Sequence, residues 1–205
     1  MDVLRSMRAG QWRSREVPGT AAVGLSLSWI GDERIAVSGV PSAQMVARLA
    51  EQGVTHVVNC RPRAQVRWSG DLAAERAVLG SDRVAHAPMQ DHGLPQRPAA
   101  WAAAARFAAR VLDDQPQAAV LIHCTAGRRR SVMVAYAVLR LRGHDRSQAA
   151  ALLLRYRKEA VLVPAYVRSV EQWLAATRLT PTRVRLTPGL SGCPRAADRP
   201  RESGC

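Results

Sequence analysis

The stretch AAVLIHCTAGRRRS, residues 118–131, runs from five consecutive apolar residues through His123-Cys124 into a five-residue loop that contains Gly127 and ends at Arg130-Ser131. A short apolar run closed by a loop reads as a buried strand. The continuation VMVAYAVLRLRG, residues 132–143, is apolar on nearly every face until Arg140, the pattern of a helix in the middle of a domain. Strand, tight loop and helix N-terminus aim successive backbone N–H groups at one point, where the helix dipole is positive. That arrangement traps an anion.

The loop fits a phosphoryl group in particular. Backbone amides of Thr125, Ala126, Gly127, Arg128, Arg129 and Arg130 can converge on its oxygens, with Gly127 allowing the curvature. Arg130, six residues after Cys124, can fold back and bind two oxygens through its planar fork, a geometry lysine cannot copy. The same positive field lowers the pKa of a cysteine from about 8.5 into the range of roughly 3.5–7.5. Cys124 is therefore expected to rest as a thiolate. In-line attack by that sulfur on phosphorus would give a phosphocysteine, splitting hydrolysis into two easier steps that call for no metal and no cofactor.

Working outward, short β-like runs at 25–30, 34–37, 54–59, 83–87 and 119–123 alternate with helical patterns, which predicts an α/β domain with a central, mainly parallel sheet flanked by helices. A first helix is expected from Ser42, turning Met45, Val46, Leu49 and Ala50 inward and stopping at Gly53. A second begins near Pro98 and carries Trp101, Ala104, Ala108 and Val111 at helical spacing. Asp145 and Gln148 form a capping-box start for a helix that turns Ala149, Leu152, Leu153 and Tyr156 inward. Pro164 opens the last, with Val167, Val170 and Leu174.

The 205 residues, 47% hydrophobic, suit one domain with a sizeable core. The formal charge of +14 points to a polyanionic partner. Lys158 is the sole lysine, however, and an arginine- and alanine-rich composition can equally reflect codon usage. Residues 1–20 and 181–205 lack a sustained apolar period and read as flexible segments around a catalytic domain at 21–180. No apolar run of membrane-spanning length and no signal-peptide core occurs, so a cytoplasmic location is expected. The four cysteines show no CxxC spacing, which argues against a zinc site or a disulfide framework.

His123-Cys124-x-x-Gly127-x-x-Arg130-Ser131 resembles the signature loop of the cysteine-dependent protein tyrosine phosphatase superfamily, and the chain is most similar to its dual-specificity branch. The resemblance covers about residues 25–178, including a strand that ends in Asn59-Cys60-Arg61. It implies that His123 supports the loop and that the Ser131 hydroxyl stabilises the departing thiolate in the second step. An acid for the leaving oxygen is also needed. Asp91, in HAPMQDHGLP, lies at the distance upstream that compact members show, with His92 as the rival. Asp82 and Asp71 fit the order of elements less well. Relatives often orient the attacking water with a late Asn or Gln, where RKEAVLVPAY offers only Val161, Leu162 and Val163. The implied substrates are phosphotyrosine or phosphoserine/threonine in a protein, a phosphoinositide headgroup, or the 5′ end of RNA. A phosphate-binding module without turnover is the reading from a different class. Arg128 and Arg129 either make the rim unusually positive or point into solvent. Cys60 either forms a reversible disulfide with Cys124 or is a buried apolar residue. Oligomeric state is not legible.

Overall fold

A computed structural model describes residues 27–179, so the expected flexible segments at 1–20 and 181–205 lie outside the described residues. Five strands, β1 (Ser28–Trp29), β2 (Ile35–Ser38), β3 (His56–Asn59), β4 (Val84–His86) and β5 (Val120–His123), form one sheet in the order β1-β2-β5-β3-β4. Only β1 runs antiparallel. The strand that leads into the signature loop is thus central, with parallel neighbours on both sides, and Asn59 and Ser38 both register with His123.

Alternation along the central strands sorts side chains to two faces. Ile35, Val37, Val58, Val120 and Ile122 join a large core, whereas Ala36, Val57 and Leu121 join a smaller one. The large core is roofed by α4 (Ala102–Asp114), α5 (Arg130–Leu141), α6 (Arg146–Tyr156) and α7 (Pro164–Leu179). The smaller is closed by α1 (Ala43–Ala47) and α3 (Asp71–Leu79), with Val46 and Leu49 buried and Leu72 and Leu79 packed beside them. Every residue of α5 from Arg130 to Leu139 is buried, as its unbroken apolar sequence predicts. Glu171 of α7 ties to it, accepting hydrogen bonds from Arg140 Nε (2.7 Å) and the Tyr136 hydroxyl (2.6 Å).

The expected caps hold. Ser42 accepts the Met45 N–H at the start of α1, and Asp145 with Gln148 makes a reciprocal capping box on α6. Trp101 is buried in the core, edge-on to Trp173 at 5.0 Å.

Some expectations need correction. The first helix ends at Ala47 and continues as turns to Gly53, so Ala50 falls outward. Pro98–Ala100 is a 3₁₀ turn, and α4 proper begins at Ala102. Tyr156, at the end of α6, is 39% exposed rather than inward, because α6 lies at the surface and only Ala149 and Leu153 reach the core fully. Apolar periodicity does not announce α2 (Arg63–Ser69) or α3 at all. The residues α3 buries are Asp71 and Glu75, so its inward face reads as polar.

Candidate active site

The chain leaves β5 at His123 and must turn sharply to enter α5 at Arg130. Gly127 makes that turn possible, with φ +68° and so little space that a Cβ would lie 2.3 Å from the Ser38 carbonyl carbon. Backbone cannot move aside as a flexible side chain would, so glycine is required here. Val40 N–H donates to the Thr125 carbonyl at 3.2 Å, seating the loop on the end of β2.

Below it, Arg157 of the α6 C-terminus is buried and donates from Nε to the Gly127 carbonyl at 2.9 Å and from Nη1 to Ser28 Oγ at 3.1 Å. Arg157 thus locks the loop to the sheet. Its position could not be singled out among so many arginines, since only the tertiary contact distinguishes it.

The Cys124 sulfur is 1% exposed, accepts the Gly127 N–H at 3.2 Å and lies 3.4 Å from Ser131 Oγ. Burial pushes the thiol up. Hydrogen bonds from the Ser131 hydroxyl and N–H, the Arg130 charge and the Gly127 N–H outweigh that and hold Cys124 below its ordinary value. A depressed pKa means that the thiolate persists as pH falls until the folded-state pKa is crossed. Alkylation of Cys124 by iodoacetamide should therefore reach half its maximal rate at a pH below that of an ordinary thiol. Ser131→Ala should move that midpoint upward, and an unchanged midpoint would remove Ser131 from the thiolate's support.

Arg130 is 3% exposed. Its Nη2 donates to Thr125 Oγ1 at 3.1 Å and Nη1 to the Met89 carbonyl at 3.4 Å, while Nε makes no hydrogen bond and lies 3.6 Å from Asp91 Oδ2. The guanidinium is thus held in place with a donor to spare. Asp91 Oδ1 is also 3.3 Å from Arg129 Nη1, so Arg129 faces the acid across the mouth while Arg128 points into solvent. Thr125 and Ala126 form the exposed lip.

Asp91 is supported from behind by Tyr166 of α7. The Tyr166 hydroxyl accepts the Gly93 N–H at 3.2 Å and lies 3.4 Å from Asp91 Oδ1 and 3.3 Å from the Gln90 carbonyl. Nothing local marks Tyr166, which is 75 residues away in the chain. The rival His92 is exposed, and its Nδ1 accepts the Leu94 N–H rather than facing the loop. Asp71 is buried against Asn59 and Arg61 and Asp82 is exposed on a 3₁₀ turn, so neither shares this mouth.

His123 lies beside Cys124 at 0% exposure. Its Nε2 is 2.8 Å from Glu75 Oε1, although neither ring nitrogen makes an aligned hydrogen bond. Asn59 Nδ2 donates to Asp71 (2.9 Å) and Glu75 (3.2 Å), and Arg61 Nη1 is 2.8 Å from Asp71 Oδ2. Asp71, Glu75 and His123 bring ligand atoms within 4.8 Å of one another, the geometry of a metal cluster. Donors from Asn59 and Arg61 already occupy those carboxylates, so the group is better described as a polar brace beneath β5. Asn59-Cys60-Arg61 is the part of this brace that the sequence shows.

Cys60 and Cys124 are both free thiols, and the Cys60 N–H donates to the His123 carbonyl at 2.8 Å. Burial and the neighbouring Cys124 charge push the Cys60 thiol well up.

No family model and no curated protein matches the sequence. Solved structures do match. Tk-PTP in its active form superposes with a TM-score of 0.60 at 24% identity, over 72% of this chain and 95% of that one. Kinase-associated phosphatase, with its catalytic cysteine replaced by serine, gives 0.62 at 16% identity over 76% and 97%. PTPMT1 in complex with PI(5)P gives 0.56 at 15% over 71% and 93%. Each spans almost its full length on residues of this chain. The chain therefore has the fold of the protein tyrosine and dual-specificity phosphatases, a single α/β domain with a mainly parallel sheet and its signature loop between β5 and α5.

Proposed function

We propose that this chain is a phosphoric monoester hydrolase of the tyrosine/dual-specificity type, acting on phosphorylated protein through a phosphocysteine intermediate. The observation that carries the reading is the Cys124 sulfur itself, buried yet stabilised as an anion by Ser131, Gly127 N–H and Arg130, with Asp91 at the mouth above it. Backbone amides from Thr125 to Arg130 and the Arg130 guanidinium would hold the phosphoryl oxygens. Cys124 would attack phosphorus. Asp91 would protonate the departing oxygen and then take a proton from the water that breaks the intermediate. Ser131 would stabilise the thiolate as it leaves, and His123 would keep the loop in register through the brace.

The second step has weaker support in the chain. Val161, Leu162 and Val163 present no side-chain amide, and Val161 N–H is spent on the Arg128 carbonyl at 2.8 Å. That observation favours slow breakdown of phosphocysteine, and in the limit a phosphate-binding module without turnover.

The test is hydrolysis in EDTA of a phosphotyrosine peptide and of p-nitrophenyl phosphate, with rapid-quench trapping of phosphoenzyme. Asp91→Asn should lower kcat on the peptide by about 10²–10⁴-fold. The loss should be smaller on p-nitrophenyl phosphate, whose nitrophenolate leaves readily without a proton. Equal losses on both substrates would remove Asp91 from the acid role, and no turnover by folded, reduced wild-type protein would favour the binding module.

A further inference from the structure

Among the described residues the Asp91 carboxylate meets three side chains, and they sort between its two oxygens. Oδ1 lies 3.3 Å from Arg129 Nη1 and 3.4 Å from the Tyr166 hydroxyl, whereas Oδ2 has Arg130 Nε at 3.6 Å, without a hydrogen bond. Two of the three are guanidiniums that belong to the phosphate loop. On their own they would draw a carboxylate down onto the clamp, where it would compete with a phosphoryl group for the same donors. Tyr166 is the contact that comes from outside that loop.

Tyr166 is 1% exposed, in the first turn of α7. Its hydroxyl accepts the Gly93 N–H at 3.2 Å and has two acceptors for its single proton, the Gln90 carbonyl at 3.3 Å and Asp91 Oδ1. One hydroxyl thus touches the residue before the acid, the acid itself and the turn two residues after it. Three residues further along α7, Ser169 Oγ accepts the Gln96 N–H at 3.0 Å, and the Gln96 side chain donates back to the Gln90 carbonyl at 2.9 Å. The segment 90–96 is therefore fixed to α7 at both ends. α7 is in turn tied through Glu171 and Arg140 to α5, the helix that opens with Arg130.

We propose that Tyr166 is a positioning residue for the acid, holding Asp91 Oδ1 so that Oδ2 faces the leaving oxygen of the substrate. The role rests on the phosphatase reading of Cys124 and Asp91. The proton on Oδ2 passes to the leaving oxygen as the S–P bond forms and the P–O bond breaks. The charge left on the carboxylate is then met at Oδ1 by the Tyr166 proton, which turns from the Gln90 carbonyl to Asp91. A hydroxyl can follow the acid in this way because its proton rotates freely about the C–O bond.

The test is kcat/KM of the full chain on a phosphotyrosine peptide, whose leaving oxygen needs a proton, and on p-nitrophenyl phosphate, whose nitrophenolate leaves without one. Tyr166→Phe fills the same buried space and removes only the hydroxyl. It should lower the peptide value about tenfold, the worth of a hydrogen bond to a charged group, and the p-nitrophenyl phosphate value far less. Inhibition by inorganic phosphate should be unchanged, because the cradle is untouched. In an Asp91→Asn background the same substitution should cost nothing further, since the two groups act as a unit. Ser169→Ala, which releases the far end of the segment but not the acid, is the structural control. It should keep the wild-type ratio between the two substrates.

Equal losses on both substrates in Tyr166→Phe would overturn the proposal and leave the phosphatase reading standing. So would a further loss in the Asp91→Asn background, or the same change of ratio in Ser169→Ala, because Tyr166 would then hold only the fold. Folded, reduced wild-type protein that turns over neither substrate would overturn the phosphatase reading and this role with it.

Discussion

Cys124→Ser is expected to lower turnover of p-nitrophenyl phosphate by at least about 10⁴-fold, with no phosphoenzyme trapped by rapid quench. The reason is electronic rather than steric. Every contact at this position favours a negative sulfur: the Gly127 N–H at 3.2 Å, the Ser131 hydroxyl at 3.4 Å and the buried Arg130 charge. A serine hydroxyl fits the same space, but its far higher pKa leaves it protonated in the same field. The loop amides and Arg130 are untouched by the change. Inorganic phosphate should therefore bind the variant at least as well as the wild type, and thermal unfolding should be little altered. A variant that keeps more than a hundredth of the activity would mean that another group attacks phosphorus. Loss of phosphate binding together with activity would mean that the loop had collapsed and that the substitution does not report on chemistry.

Arg130→Lys is expected to lower kcat/KM by about 10³-fold even though the charge is retained. The guanidinium is fixed through two separate nitrogens, on Thr125 Oγ1 and the Met89 carbonyl, and its Nε makes no hydrogen bond, 3.6 Å from Asp91 Oδ2. An ammonium on a flexible stem cannot hold both anchors and also present a fork to two phosphoryl oxygens. It does keep a positive charge near the sulfur. Arg130→Lys should therefore leave the pH midpoint of Cys124 alkylation closer to wild type than Arg130→Ala does, while both lose turnover. If lysine supported turnover within tenfold of wild type, simple charge would suffice and bidentate clamping would not be the mechanism.

The loop between β5 and α5 was legible because its whole logic is local. A buried strand, a glycine at the one place where a Cβ would strike Ser38, an arginine six residues after the cysteine and an apolar helix are contiguous in the chain, so spacing and residue type specify the geometry. That Asp91 lies beside the loop was legible for a weaker reason, since its segment carries turn residues just beyond a strand. The caps at Ser42 and Asp145 were readable because a cap is a contact three residues long.

Arg157, Tyr166 and Glu75 were not legible, and the common cause is distance along the chain. Arg157 touches the Gly127 carbonyl 30 residues away, and Tyr166 reaches Asp91 across 75. Before folding, nothing separates either residue from its many equivalents. The helix over Asp71–Leu79 was hidden for a different reason. Periodicity finds helices by what they bury, and this one turns two carboxylates inward to Asn59, Arg61 and His123. Tyr156 shows the reverse error, an apolar position at helical spacing whose ring lies at the surface over Gly31 and beside Arg155 rather than in the core.

By itself the sequence determined the α/β architecture and the tight loop that joins a buried strand at His123 to a buried helix at Arg130, because that loop depends on hydrogen-bond geometry within a few residues. Only the tertiary structure decided which distant side chains brace that loop, and that the Asp91 carboxylate lies beside Arg129 and Arg130 while His92 bonds to the Leu94 N–H. Contacts between segments far apart in the chain are specified by the packing of the whole core, which no local pattern encodes.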